Sequence, residues 1–293
     1  MKIERYAAID VGSNAVRILI TNVVSYKKKT VFLKNALVRV PIRLGQDAFT
    51  SRKISDMNIK RMMKSMKAFK LLMEIHGVKD YLAFATSALR DAENGPYLVE
   101  KVLKKSGIKI EIIDGKKEAK IISNTNVFDA INKEKTFLYV DIGGGSTEFS
   151  ILINGKRNQS KSFKIGTVRL LNSKVEQITL DEAEAWVRRH TLMHKKIYLL
   201  GTGGNINKLH NIANISDNSP ISYLILSALY NQLDALTYEE RIVNLGLNPD
   251  RSDVILLAAK LFIKILNWSG AKDIYVPKVG LSDGMIRELY KRK

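Results

Sequence analysis

The stretch 137-FLYVDIGGGSTEFSIL-152 decides how this chain is read. An apolar run ends in Asp141, three glycines follow at Gly143, Gly144 and Gly145, and a second strand pattern opens at Ser146. The N-terminus does the same once earlier: Tyr6-Ala7-Ala8-Ile9, then Asp10-Val11-Gly12-Ser13-Asn14, then Val16-Arg17-Ile18-Leu19-Ile20. Glycine admits positive φ and close approach, so successive N–H groups can converge on an anion. An aspartate at the strand tip cannot bind phosphate itself, and its natural partner is a cation that the phosphate shares, typically Mg²⁺. Either unit alone reads as well as an ordinary hairpin. The matched pair, with Ser146-Thr147-Glu148 after the second loop, reads as a duplicated phosphate-binding element.

Working outward, 293 residues with 45% hydrophobic content suit two domains of ordinary size. Apolar runs such as 254–259 are too short to span a bilayer, and MKIERYAAID lacks the apolar core of a signal peptide. The absence of cysteine excludes disulfides and thiolate metal sites and fits a cytoplasmic protein. A net charge of +19 asks for a polyanionic partner. The basic clusters at 27–29, 116–117 and 195–196 are short and scattered, and no zinc-finger, RNP-type or basic-zipper pattern is present. Nucleic acid is therefore not the expected partner.

Strand patterns over 6–9, 16–24 and 31–40 precede a helix over 54–76, a strand over 81–85, a helix over 96–106, a strand over 108–113 and a helix from Lys117. The second half restarts with strands over 136–141, 147–153 and 157–165. A helix over 181–194 with Thr179 as N-cap follows, then a strand over 197–200 and helices over 222–235, 250–268 and 283–290, with a strand over 273–276. The methionines of the 54–76 helix read as core. His190 and His194 share a helix face but lack a third ligand, so they read as a solvated face. Each half is βββ followed by alternating α and β. This predicts an α/β protein of the actin-like ATPase (ribonuclease H-like) fold, with domains 1–125 and 126–293 flanking a cleft.

The motifs AIDVGSNAVRILI, ATSALRDAENG, IIDGKKEAKII, DIGGGSTEFSI, GTVRL, GTGGN and GLNPDRSDV occur in this order. With them the chain resembles the exopolyphosphatase / guanosine pentaphosphate phosphohydrolase family nearly end to end, in its short two-domain form. The resemblance implies hydrolysis of the terminal phosphoanhydride of inorganic polyphosphate, of guanosine pentaphosphate, or of both, usually with Mg²⁺. It implies that Glu118, in Gly115-Lys116-Lys117-Glu118-Ala119, is the general base and that Arg90 holds phosphate. Asp141 and Glu148 match metal-associated positions. The loops with Gly12, Ser13 and Asn14, with Gly143, Gly144, Gly145 and Ser146, and with Thr202, Gly203, Gly204 and Asn205 match phosphate-binding loops. A homodimer is expected from the resemblance alone.

Phosphoryl transfer needs positioning and charge neutralisation, which N–H groups, a forked arginine and a metal supply. Arg17, Lys117, Arg169 and Lys208 stand beside the motifs and are the candidate polyanion contacts. The chain departs from the family's pattern at Ala15, where a hydroxyl is common, at Lys117, where an acid is common, and at Ser282, where arginine is common. Four readings compete: exopolyphosphatase first, then guanosine pentaphosphate phosphatase, a non-catalytic polyphosphate or alarmone-binding protein, and a small-molecule kinase of the same superfamily.

Overall fold

The computed structural model describes residues 1–123, 125, 135–217 and 219–292. The chain forms two compact units, Met1–Thr125 with Gly280–Lys293, and Asn126–Val279. The start of the expected second domain, over 126–134, lies outside the described residues.

The first unit opens on β1 (Lys2–Val11), β2 (Val16–Tyr26) and β3 (Lys29–Val40), joined as an antiparallel meander. β1 is buried over its last six residues because it pairs on both sides, with β2 and in parallel with β4 (Asp80–Ala85). β3 is the exposed edge and carries lysines at 29 and 34, which discourage further pairing. After α1 (Leu44–Thr50), α2 (Asp56–Ile75) starts at the Ser55 cap, whose side chain accepts the Asn58 N–H, and buries Ile59, Met62, Met66, Phe69 and Met73 on one stripe. The methionines are core, as the spacing predicted. Behind β4 come α3 (Ser87–Asp91), α4 (Gly95–Ser106), β5 (Glu111–Ile112) and α5 (Gly115–Ser123). The strand expected over 108–113 pairs only at Glu111–Ile112. Before it the Tyr81 hydroxyl takes the Lys109 N–H at 3.0 Å and reaches the Gly107 carbonyl, replacing ladder bonds.

The second unit repeats the plan with β6 (Thr136–Ile142), β7 (Thr147–Ile153), β8 (Lys156–Phe163), α6 (Thr167–Leu171), α7 (Gln177–Thr191), β9 (Ile197–Thr202) and α8 (Gly204–Ile212). It continues with β10 (Ile221–Ser222), α9 (Tyr223–Ala235), α10 (Tyr238–Leu245), α11 (Pro249–Ser252), α12 (Ile255–Ser269) and β11 (Asp273–Tyr275). Two expected helices are corrected. The helix over 181–194 begins at Gln177 instead, with Thr179 inside its first turn. The Gln177 side chain bonds Asp181 at 2.7 Å, and the apolar row Leu180, Ala183 and Val187 needs that earlier turn. The helix over 250–268 breaks after Ser252, whose carbonyl is taken by Arg241 and whose hydroxyl is taken by the Tyr238 carbonyl.

Among the described residues the sheet orders are β3-β2-β1-β4-β5 and β10-β11-β9-β6-β7-β8. In both, three antiparallel strands continue into parallel ones. Apart from the antiparallel edge β10, the second order repeats the first. This is the duplicated actin-like, α/β architecture that the two strand–Asp-x-Gly–strand stretches implied. The last helix, α13 (Leu281–Lys291), corrects the expected domain limits. It belongs with the first unit, where it packs on β1, β2, β4 and α5. Tyr290 stacks edge-on against Phe32 at 5.6 Å, Lys34 pairs with Asp283 at 3.0 Å, and Gly284 lets the helix close on the Ile121 carbonyl. Among the described residues no helix is long and apolar enough to cross a membrane.

Candidate active site

In the first unit the β1–β2 register sets Asp10 opposite Arg17, with Gly12 to Ala15 as the turn. The Gly12 N–H closes that turn on the Ala15 carbonyl at 3.2 Å. The carbonyls of Ser13 and Asn14 are taken by the N–H groups of Gly45 and Arg43, at 2.7 and 2.9 Å. Fixing the carbonyls on one side leaves the neighbouring N–H groups aimed the other way. The Ser13 hydroxyl is buried against the Ser87 hydroxyl at 2.9 Å, which ties the turn to α3. Arg90, from α3, donates to the Ile113 carbonyl at 3.0 Å, just before α5 and Glu118. Glu118 is half-buried in the first turn of α5, its N–H bonded to the Asp114 carbonyl.

Asp10 is 8% exposed, and Arg17 Nη1 lies 3.4 Å from its Oδ2. Burial, the larger effect, pushes the Asp10 carboxyl above its ordinary range, and Arg17 pulls it back. The folded chain therefore holds the Asp10 proton more tightly than the unfolded chain. The charged carboxylate opposes folding above the folded pKa, and that cost disappears as pH falls through the folded pKa to the ordinary value. Asp10→Asn is expected to be more stable than the wild type at neutral pH, with the margin shrinking toward pH 4. Thermal melts at both pH values check this, and an equal margin at both would contradict it.

The second unit builds the same turn from other chemistry. The Gly143 N–H closes on the Ser146 carbonyl at 2.9 Å. The carbonyls of Gly143 and Gly144 are held by the N–H groups of Thr167 and Val168, at 3.0 and 2.8 Å, and Arg169 Nε holds the Gly145 carbonyl at 2.7 Å. Among the described residues, the N–H groups of Gly144 and Gly145 donate no hydrogen bond within the chain. The β6–β7 register sets Asp141 opposite Glu148, two acids where the first unit has an acid and a base. Glu148 is 3% exposed and accepts from Ser146 Oγ at 2.6 Å and Ser162 Oγ at 3.0 Å. The Tyr139 hydroxyl shares 2.5 Å with Thr202 Oγ1 and donates to Asp141 Oδ2 at 3.4 Å. Gly203, at φ 102, passes so close that a Cβ would stand 2.7 Å from Asp141 Oδ1. Asn205 then lies in the first turn of α8, with Lys208 half-buried one turn on.

A model of the Ppx/GppA phosphatase family matches residues 23–293. The chain belongs to the Ppx/GppA family. It is 29% identical over 311 residues to the bifunctional 3-dehydroquinate synthase/phosphatase of Fusobacterium nucleatum, covering 98% of this chain and 47% of that protein. It is 26% identical over 304 residues to the guanosine-5'-triphosphate,3'-diphosphate pyrophosphatase of Photobacterium profundum, covering 98% and 59%. The chain spans about half the length of the curated relatives it matches. A solved exopolyphosphatase from Cytophaga hutchinsonii superposes with a TM-score of 0.88 at 26% identity, over 99% of this chain and 98% of that one.

Within this Ppx/GppA frame, the structure gives the candidate side chains their neighbours. The residue beside Asp10 is the cation Arg17, whereas the matching register pair of the second hairpin is two acids, Asp141 and Glu148. The hydroxyls of Ser13, Ser146 and Thr202 each share a hydrogen bond with a neighbouring side chain, Ser87, Glu148 and Tyr139 respectively. At the position that matches Ala15 in the second hairpin, the Ser146 hydroxyl donates to Glu148. Arg169 is 9% exposed and braces the glycine turn from behind, and Lys117 pairs with Glu111 at 2.5 Å over the Phe84 ring. Tyr139 escaped the sequence reading because it sits in an apolar run. Its place two residues before Asp141, on the same strand face, was the available signal. His190 stacks on Trp186 at 4.4 Å, and its Nδ1 lies 2.7 Å from the Trp186 carbonyl oxygen, consistent with a structural role.

Among the described residues no set of three or more His, Asp or Glu side chains is grouped to hold a metal. The oxygen donors of Asp141 and Glu148 nevertheless suit Mg²⁺, which takes one or two carboxylates and completes its shell with water and phosphate oxygens.

Proposed function

We propose that this chain is a phosphoanhydride hydrolase acting on the terminal phosphate of inorganic polyphosphate. The observation that carries the reading is the second hairpin, where undonated glycine N–H groups stand beside the facing acids Asp141 and Glu148. Those groups suit a tetrahedral polyanion that shares a cation with two carboxylates. Asp141 and Glu148 would hold the Mg²⁺, with Ser146, Ser162 and Tyr139 fixing their orientation through hydrogen bonds. When bound, the ion neutralises charge on the phosphate oxygens. Glu118 takes the proton from the attacking water, and Arg90 fixes the segment that presents it by holding the Ile113 carbonyl. The net charge of +19 favours capture of a ligand carrying about one negative charge per phosphate. The similarity to the Photobacterium protein supports guanosine pentaphosphate as the second substrate to try.

Phosphate release from long-chain polyphosphate and from guanosine pentaphosphate, each with Mg²⁺ and with a chelator, tests the reading. Release from polyphosphate that a chelator stops is the expected result. Tight binding of either ligand without release would replace the hydrolase with a binding protein.

A further inference from the structure

The second unit carries a pair of buried hydroxyls that the first unit lacks. Tyr139 lies two residues before Asp141 on the same face of β6, and Thr202 is the parallel register partner of Asp141 at the end of β9. The two are 2% and 1% exposed. In the first unit the residue two before Asp10 is Ala8, and the register partner of Asp10 on β4 is Phe84. Both glycine turns close in the same way, so the hydroxyl pair is not needed for closure. It occurs where the register pair is two acids, Asp141 and Glu148, and not where it is Asp10 and Arg17.

The direction of these hydrogen bonds follows from the groups themselves. An ionised carboxylate only accepts, so the single proton of the Tyr139 hydroxyl goes to Asp141 Oδ2 at 3.4 Å. Tyr139 then accepts and Thr202 donates across the 2.5 Å between their oxygens. The anchor is stiff, because a β-branched side chain is restricted about χ1. An aspartate turns broadly about χ2 unless something holds it. Its two oxygens turn together, so holding Oδ2 also sets Oδ1, beside which Gly203 passes with no room for a Cβ. Glu148 is held separately, by the hydroxyls of Ser146 and Ser162.

We propose that Thr202 and Tyr139 act in series as positioning residues for the Asp141 carboxylate, so that the Thr202 hydroxyl serves an ion at the acid pair and not the phosphate. The inference rests on Asp141 and Glu148 being the ion ligands of the proposed function. Partners that orient a metal-binding carboxylate are worth about 10- to 100-fold in metal affinity.

The probe is Mn²⁺ alone, followed by its electron paramagnetic resonance signal without phosphate; binding of inorganic tripolyphosphate is measured separately in the presence of a chelator. Tyr139→Phe, Thr202→Val and the double variant are compared with Ser150→Ala. That control removes a buried hydroxyl from the β7 position opposite Tyr139. Tyr139→Phe leaves the Thr202 hydroxyl without its acceptor and is expected to melt lower than the wild type. The double variant replaces both partners by apolar groups of the same shape and is expected to melt close to the wild type. Tyr139→Phe is expected to weaken Mn²⁺ binding about tenfold, and Thr202→Val by a smaller factor. The double variant is expected to lose no more than Tyr139→Phe, because Thr202 acts only through Tyr139. Metal-free tripolyphosphate binding stays at the wild-type level in all of them. A double variant that binds Mn²⁺ as tightly as Ser150→Ala would overturn the brace. So would a Thr202→Val variant that loses tripolyphosphate affinity with Mn²⁺ binding unchanged, the result for a direct phosphate ligand. A wild type that binds no Mn²⁺ removes the ion ligands and the brace together, whereas weakened Mn²⁺ binding in a chain that releases no phosphate keeps the brace and removes only the hydrolase.

Discussion

Glu118→Gln is expected to lower phosphate release from polyphosphate by roughly 100-fold or more, with polyphosphate affinity nearly unchanged. Glutamine keeps the shape and hydrogen-bonding reach of the side chain but cannot accept the proton of the attacking water, and positioned proton transfer contributes about 10²–10⁴ in rate. Glu118 is held in the first turn of a short helix whose entry is fixed from both sides. The Asp114 side chain caps the Lys117 N–H at 2.7 Å, and Arg90 grips the Ile113 carbonyl. The substitution should therefore leave the fold intact, and an unchanged melting temperature is the control. A variant that releases phosphate within a few-fold of the wild type would remove Glu118 from the mechanism.

Gly166→Ala should be a highly damaging single-methyl change against the second unit's glycine turn. The backbone at Gly166, φ −136 and ψ 158, is open to any residue, so its effect is purely one of space. A Cβ there would meet the carbonyl carbon and oxygen of Gly144 and the nitrogen of Gly145, each at 2.4 Å. These are backbone atoms, and the bonds from Thr167 and Val168 hold them in place. The expected cost is about 3 kcal/mol, the upper end of overpacking, together with loss of phosphate binding as the turn is pushed aside. Gly246→Ala is the comparison: a Cβ there meets nothing within 4 Å but must adopt φ +57, which costs about 1 kcal/mol. Urea unfolding of the two variants separates the effects, and equal losses would contradict the packing argument.

Much of this architecture could be read from the chain because the decisive signals are local. Apolar runs ending in Asp10 and Asp141, followed by glycine turns, announce two hairpins wherever the rest of the chain goes. The register also follows from the turn: closing 12–15 and 143–146 in the same way puts Arg17 and Glu148 at matching positions. The difference between an ion pair and two facing acids was therefore legible, although only the side-chain distances reveal its consequence. What could not be read depends on long-range packing. The amphipathic pattern of α13 fits many apolar surfaces, and only the Phe32, Lys34 and Ile121 contacts assign it to the first unit. The hydroxyl partners of Ser13 and Thr202, Ser87 and Tyr139, lie far away in sequence and could not be read from it. The same holds for Arg169, read from its motif position as a candidate polyanion contact, whose Nε donates to the Gly145 carbonyl of the turn.

The most direct measurement is polyphosphate turnover in ¹⁸O-labelled water with Mg²⁺, analysing the released phosphate by mass. Hydrolysis at the chain end predicts one solvent oxygen in each orthophosphate released and chains that shorten one unit at a time. Orthophosphate without label, transfer of phosphate to a nucleotide, or no release at all would contradict it.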